Sequence, residues 1–212
     1  TFQYQSEYTI RWYFDGALHW FHGPDSLYNC WKSYKVNTIF TSSTNVLTNP
    51  VIEGFPLNYV STETRELSVR YSLLVKQRTI SKTANEYWEE TRKQNGGEWS
   101  LYVTQPHYIR GNITSINNPD EQVLGYFMVN GVDEMRIFVD RPPPEVPMRY
   151  LRCVLTEADF QAYGEMGMMD PVFYPLYAIE TNGGRRATPH QDCVDCRRKG
   201  GTIEKPSFWI DK

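Results

Sequence analysis

The sequence has no long hydrophobic run and no large excess of charge of either sign. No window approaches the ~18 consecutive apolar residues that indicate a membrane-spanning helix. The formal net charge is −3 over 212 residues, and the isoelectric point is about 5.8. A nucleic-acid-binding domain typically presents a dense basic face. The charge balance therefore gives no reason to expect a nucleic-acid partner.

Motifs that mark common catalytic sites are also missing. The sequence contains no Gly-x-Ser-x-Gly elbow, no His-Glu-x-x-His pair and no phosphate-binding glycine loop. Its few histidines are scattered, and no nucleophile, base and oxyanion site come together in the pattern. We therefore expect a protein without enzymatic activity and without a cofactor. Its 15 Tyr and 6 Trp suit either a β-core or a carbohydrate- or protein-binding face.

Alternation of apolar and polar residues is the main secondary-structure signal, and it predicts β-strands. Strands are predicted at 8–14, 36–41 and 69–76. The clearest stretch, 107–139, predicts a three-stranded antiparallel meander. Its strands would be 109–116, 123–129 and 132–139, joined by a turn at 117–120 and a hairpin at Asn130-Gly131. The prolines after Arg141 would end the meander.

Only two helices are predicted. Ser81 is placed to cap a helix of about 81–94, and Thr156 begins a capping box for a short helix that Gly164 would end. Residues 164–189 are predicted to form a long irregular loop. The predicted fold is mainly β: an immunoglobulin- or fibronectin-like antiparallel β-sandwich with one inserted helix, as a single domain over 1–212. Within it, 1–141 would be a strand-rich body and 142–212 a loop-rich tail packed on that body.

The four cysteines are Cys30, Cys153, Cys193 and Cys196. Their even number favours disulfides. The spacing of Cys193 and Cys196 also allows half of a zinc site or a redox pair, although no second such pair is present. Four cysteines allow three pairings. We favour those in which each tail cysteine bonds Cys30 or Cys153, so that the C-terminal segment is stapled to the body.

Three groups of segments carry a resemblance to a known family. They are residues 67–77 with the Tyr87-Trp88 pair; 110–113, 118–121, 125–127 and 136–139; and 193–197, 200–202 and 205–209. Together they resemble, over nearly the whole chain, a Bacteroidota outer-membrane lipoprotein family known as domain of unknown function 4249. Members of that family carry a lipoprotein signal and an upstream immunoglobulin-like β-domain. The resemblance therefore implies that this chain, which begins at Thr1, is a C-terminal portion.

The resemblance also implies a cellular setting. Such proteins are encoded beside TonB-dependent outer-membrane transporters, and they resemble surface lipoproteins that cap transporters and help to capture nutrients. We therefore expect attachment through an N-terminal lipid outside this chain, a location at the outer-membrane cell surface, and an outer-membrane β-barrel partner. In that phylum Asp25-Ser26-Leu27 resembles a short O-glycosylation motif, with Ser26 as the acceptor.

The expected function is that of a non-catalytic surface lipoprotein, a binding or accessory subunit of an outer-membrane TonB-dependent transporter complex. One alternative is a structural subunit of a larger outer-membrane assembly complex that binds no nutrient. A second alternative is a zinc-containing enzyme or domain that uses the tail cysteines.

Overall fold

A computed structural model describes residues 1–8, 11–14, 17–20, 27–44, 47–95, 107–166 and 176–211. The chain divides into two compact units. The first unit comprises Thr1–Tyr34, Val60–Leu73 and Ile137–Lys212, and the second comprises Lys35–Tyr59 and Leu74–Arg136. None of the described helices is long and apolar enough to cross a membrane.

Eight strands form two four-stranded sheets within the described residues. The strands are β1 Phe2–Gln5, β2 Arg11–Phe14, β3 Ala17–Trp20, β4 Asn29–Lys32, β5 Arg70–Arg78, β6 Val132–Asp140, β7 Leu176–Glu180 and β8 Arg186–Ala187. One sheet has the order β4-β1-β5-β6 and the other β3-β2-β7-β8. β1 runs antiparallel to both of its neighbours, with Phe2 opposite Lys32 on β4 and opposite Tyr71 on β5. The antiparallel sheets predicted from alternation are confirmed.

Strand β1 shows how the period-two pattern builds the core of the first unit. Phe2 and Tyr4 are buried, whereas the residues between and after them are half-buried. The two rings pack with Tyr71 and with the sulfur-bearing residues Cys30 and Cys196. Successive side chains of a strand point to opposite faces, so a single β-strand supplies one wall of this cluster.

The strand predictions are confirmed in part. The predicted strand at 69–76 is β5, and part of the predicted strand at 8–14 is β2. The strand predicted at 36–41 is wrong, because no ladder forms there. Val36 and Phe40 are instead more than a third exposed, so their alternation does not mark a buried face.

The predicted meander is also wrong, since only its last strand, β6, forms a ladder, and that ladder is with β5. Residues 109–116 and 123–129 do approach each other closely. The Asn112 side-chain amide donates to the carbonyl of Phe127 and its Oδ1 accepts from the Phe127 N–H, both at 2.7 Å. A side chain therefore takes the backbone hydrogen bonds of Phe127 that a neighbouring strand would have used.

The two predicted helices are confirmed. Helix α1 spans Lys82–Asn95, and the Ser81 hydroxyl accepts a hydrogen bond from the Ala84 N–H at 3.2 Å. Gly96 and Gly97, which the sequence predicts to end this helix, lie outside the described residues. Helix α2 spans Glu157–Glu165, and the Asp159 carboxylate accepts from the Thr156 N–H at 2.7 Å. It therefore ends one residue after Gly164.

The C-terminal segment is more regular than predicted. The loop predicted at 164–189 contains β7 and β8, and beyond it lie helix α3, Gln191–Val194, and a 3₁₀ helix, Cys196–Lys199. The two helices predicted from the sequence are therefore accompanied by α3 and the 3₁₀ helix, which were not predicted. Ala178 and Ile179 are adjacent on β7 and both buried, so this strand lacks the alternation on which the prediction depended.

Candidate binding site

The structure joins the four cysteines in two disulfides, Cys30–Cys196 and Cys153–Cys193. Each bridge connects a tail cysteine to a distant one, as in one of the two pairings that we favour. Cys193 and Cys196 are not bonded to each other, so they do not form a redox pair. Sulfurs held in disulfides are not thiolate ligands for zinc. Among the described residues, no group of three or more His, Cys, Asp or Glu side chains is arranged to hold a metal ion.

The segment after Cys196 is held against β1 and β4. Trp31 on β4 and Thr202 exchange two backbone hydrogen bonds, at 2.8 and 2.9 Å. Gly201 lies so close to the strands that a Cβ there would be 2.3 Å from the Tyr4 hydroxyl and 2.7 Å from the Cys30 Cβ. Only glycine permits this approach. The disulfide and the backbone bridge thus set the position of the 3₁₀ helix.

A cavity of about 460 Å³ lies beside this docked segment in the first unit. We call it the Lys199 cavity. Its lining comes from β1, the end of β4, the segment 64–66 and the last residue of the 3₁₀ helix: Phe2, Tyr4, Lys32, Tyr34, Thr64, Arg65, Glu66 and Lys199.

The ammonium group of Lys199 is the least satisfied polar group of the cavity. Its Nζ is buried and has no hydrogen-bond partner. Burial lowers the pKa of Lys199, and the positive charge of Arg65 lowers it further. Lys32 differs, because its Nζ donates to the Lys199 carbonyl at 3.1 Å. The backbone of Lys199 thus has a partner, whereas its charge has none.

Arg65, the third cation of the lining, already has an anionic partner. Its guanidinium forms a 2.5 Å ion pair with Glu7 and donates to the Leu151 carbonyl at 2.7 Å. It also lies over the Tyr150 ring, 4.7 Å from the centroid. The second oxygen of Glu7 accepts from the Cys153 N–H at 2.9 Å. The charge of Arg65 is therefore neutralised by a carboxylate that is itself held beside the second disulfide.

Two tyrosines of the cavity stay protonated at neutral pH. Burial raises the pKa of Tyr4 to about 12. The pKa of Tyr34 is raised by burial and by Glu66, which accepts the Tyr34 hydroxyl proton. Glu66 also accepts from the Thr64 hydroxyl at 2.5 Å, so both of its oxygens have donors. Phe2 packs edge-on against Tyr34, with 6.3 Å between ring centroids, and adds an apolar wall.

The model of domain of unknown function 4249 matches residues 3–136. That match covers more than half of the chain. The chain belongs to the DUF4249 family. No curated protein and no solved structure matches it. Within this DUF4249 chain, the matched part includes Tyr4, Lys32 and Arg65, whereas Cys196 and Lys199 follow it. The match is shorter than the resemblance to nearly the whole chain.

The predicted site residues lie in different parts of the structure. Cys30 and Cys196 form one bridge beside the Lys199 cavity, and Cys153 and Cys193 form the other. Ser26, the predicted glycosylation site, lies outside the described residues. Sequence reasoning missed the cationic residues of the cavity, since Lys32, Arg65 and Lys199 share no motif. The one available signal was that Lys199 and a Gly-Gly pair closely follow Cys196.

Proposed function

We propose that this DUF4249 chain is a non-catalytic binding subunit that takes up a ligand in the Lys199 cavity. The observation that carries this proposal is the buried, unpartnered ammonium of Lys199. Burying a charge without a partner costs free energy, and the chain holds this one in place with a disulfide and a docked segment. A perturbed ionisable group in a cleft is a typical feature of functional sites.

We propose further that the whole protein is a lipid-anchored lipoprotein of the outer-membrane cell surface, accessory to a TonB-dependent transporter in nutrient capture. Family membership supports this proposal through the setting described for such proteins. The two disulfides favour an oxidising, extracytoplasmic compartment. The immunoglobulin-like packing of the two sheets also stays a prediction.

Affinity purification tests this setting. Full-length lipoprotein, tagged and extracted in detergent from native membranes, should recover an outer-membrane β-barrel transporter that an unrelated tagged lipoprotein does not recover. Recovery of no β-barrel would contradict the proposed partnership. Intact-mass measurement of the same material tests Ser26, because a mass equal to that of the unmodified polypeptide would rule out glycosylation there.

A structural role in a larger outer-membrane complex is the second candidate, favoured by exposed apolar side chains of the second unit. Ile116, Leu124, Phe127 and Val129 are 68–96 % exposed. Exposed apolar groups of this size are common in protein interfaces. Screens with glycans, peptides and siderophores separate the two functions, because only the first requires a ligand. A zinc enzyme using the tail cysteines does not fit their disulfide bonds.

A further inference from the structure

We infer that the Lys199 cavity binds the carboxylate of a small organic acid with an apolar or aromatic body, with Lys199 as its counter-ion. This inference rests on the proposed function of ligand binding and adds the chemical class of the ligand. It follows from the charges of the cavity, from the partners that those charges already have, and from the nature of the remaining walls.

The charges of the lining leave one positive charge without a match. The lining contains three cations, Lys32, Arg65 and Lys199. Two carboxylates oppose them: Glu7, which is paired with Arg65, and Glu66, which belongs to the lining itself. The tyrosines add no negative charge, because their pKa values are raised. A ligand with a single negative charge would make the cavity neutral.

Lys199 is the group to which the anion would bind. Lys32 has a carbonyl acceptor and Arg65 has a carboxylate and a carbonyl, whereas the Nζ of Lys199 has no acceptor. The acidic residues of its own segment already have partners, Asp192 with Arg198 at 2.7 Å and Asp195 with Arg197 at 3.0 Å. An ammonium–carboxylate contact in a buried place is stronger than one in water, because water screens the charges less there.

A carboxylate fits better than a phosphate. A phosphate group is usually held by a guanidinium fork or a cluster of free donors. Here the charge of Arg65 is already paired with Glu7, and Glu66 would repel a dianion. The rings of Phe2, Tyr4 and Tyr34 provide apolar surface for the rest of the ligand. The volume of about 460 Å³ lies within the range of small-molecule sites.

The test is ligand-observed NMR followed by titration on the 212-residue chain near pH 7.5. The probes are phenylacetate, N-acetylphenylalanine and benzoate, each compared with its neutral amide, and phenyl phosphate. At least one of the three carboxylates should bind, and its amide should bind at least tenfold more weakly. Phenyl phosphate should bind more weakly than that carboxylate.

Two variants test whether Lys199 contacts the ligand carboxylate. Lys199→Met keeps the aliphatic stem and removes the charge, so carboxylate affinity should fall at least tenfold. Lys82→Met is the matched control, since Lys82 is an exposed lysine of α1 in the second unit, and binding should not change. Lys199→Met should fold at least as well as the parent, because it removes an unpartnered buried charge. If the urea midpoint of Lys199→Met is as high as that of the parent chain, a loss of carboxylate binding does not come from unfolding.

Several results would overturn the inference: no carboxylate binds, an amide binds as well as its acid, phenyl phosphate binds better than every carboxylate, or Lys199→Met binds like the parent chain. These results are independent of the purification experiment. If a β-barrel transporter is recovered and neutral glycans or peptides bind while carboxylates do not, the proposed function stands and this ligand class is wrong.

Discussion

The hydroxyl of Tyr4 donates a hydrogen bond to the backbone carbonyl of Cys196, although the two residues are 192 positions apart. Tyr4 lies on the central part of its sheet, and Cys196 begins the 3₁₀ helix that ends at Lys199. The same cysteine is bonded to Cys30 on β4. One residue of the tail is thus held both by a buried hydroxyl and by a covalent bond, and the Lys199 cavity depends on both.

Replacing Tyr4 by Phe should change how stability depends on pH. The pKa of Tyr4 is about 12 in the folded chain and 10.0 ordinarily, so the folded chain keeps a proton that the unfolded chain loses between these values. This contribution to the free energy of unfolding is complete below pH 10 and declines as pH rises through that window. Tyr4→Phe should be about 1 kcal/mol less stable at pH 8, and the difference should shrink at pH 11. Urea unfolding at both pH values measures it; an unchanged difference would contradict the assignment.

The two disulfides should contribute unequally to stability. Cys30 and Cys196 are separated by 166 positions, and Cys153 and Cys193 by 40. In the loop-entropy description, the longer loop contributes about 5 kcal/mol and the shorter about 4 kcal/mol. Double Cys→Ala variants, one for each bridge, should therefore lower the urea midpoint in that order. A larger loss from the shorter loop would indicate that native contacts, rather than chain entropy, decide the effect.

Gly201→Ala should destabilise the first unit strongly. The added Cβ would be 2.3 Å from the Tyr4 hydroxyl and 2.7 Å from the Cys30 Cβ, and the disulfide prevents Cys30 from moving away freely. We expect a loss of roughly 2–3 kcal/mol, as for overpacked cores. Gly183→Ala is the matched control, because no atom lies within 4 Å of its added Cβ. Thermal unfolding of both variants checks the prediction, which equal effects would refute.

Glu7→Ala should cost far more than loss of an exposed ion pair. The Glu7 side chain is 12 % exposed, and it accepts hydrogen bonds from both Arg65 and the Cys153 N–H. Its removal leaves a guanidinium and a backbone donor without their acceptor, a loss of about 3 kcal/mol. The control is Glu134→Ala, whose pair with Lys76 is nearly half exposed and contributes under about 0.5 kcal/mol. Urea unfolding measures both losses, and equal decreases in the urea midpoint for the two variants would be inconsistent with this account.

Elements that depend on local chemistry were predictable. Helix α1 begins where Ser81 caps it, and α2 begins at the Thr156–Asp159 box, because these contacts join residues only three apart. Strand β5 was predictable because Tyr71 and Leu73 lie on the more buried face while Leu74 is exposed. The prediction of a meander was wrong because the Asn112 side chain takes the backbone hydrogen bonds of Phe127. Alternation of apolar and polar residues cannot reveal such a side-chain contact.

Of the candidate site, only the disulfides that hold its surroundings were predictable from the sequence. An even number of cysteines, two of them close together at 193 and 196, indicated disulfides to the two distant cysteines. The Lys199 cavity was not predictable, because its residues are spread from Phe2 to Lys199 and none belongs to a motif. Whether a lysine is solvated or buried depends on what packs around it, and that packing comes from distant parts of the chain.

The sequence by itself determined the antiparallel β character, the two main helices and the presence of disulfides, since alternation, capping and cysteine number act locally or by composition. Only the tertiary structure decided which cysteines pair and where the tail docks. It also decided that Lys199, alone among the three cations of its cavity, has no hydrogen-bond partner for its charge. Such facts arise from contacts between residues 40 to 192 positions apart, whose geometry no short pattern encodes.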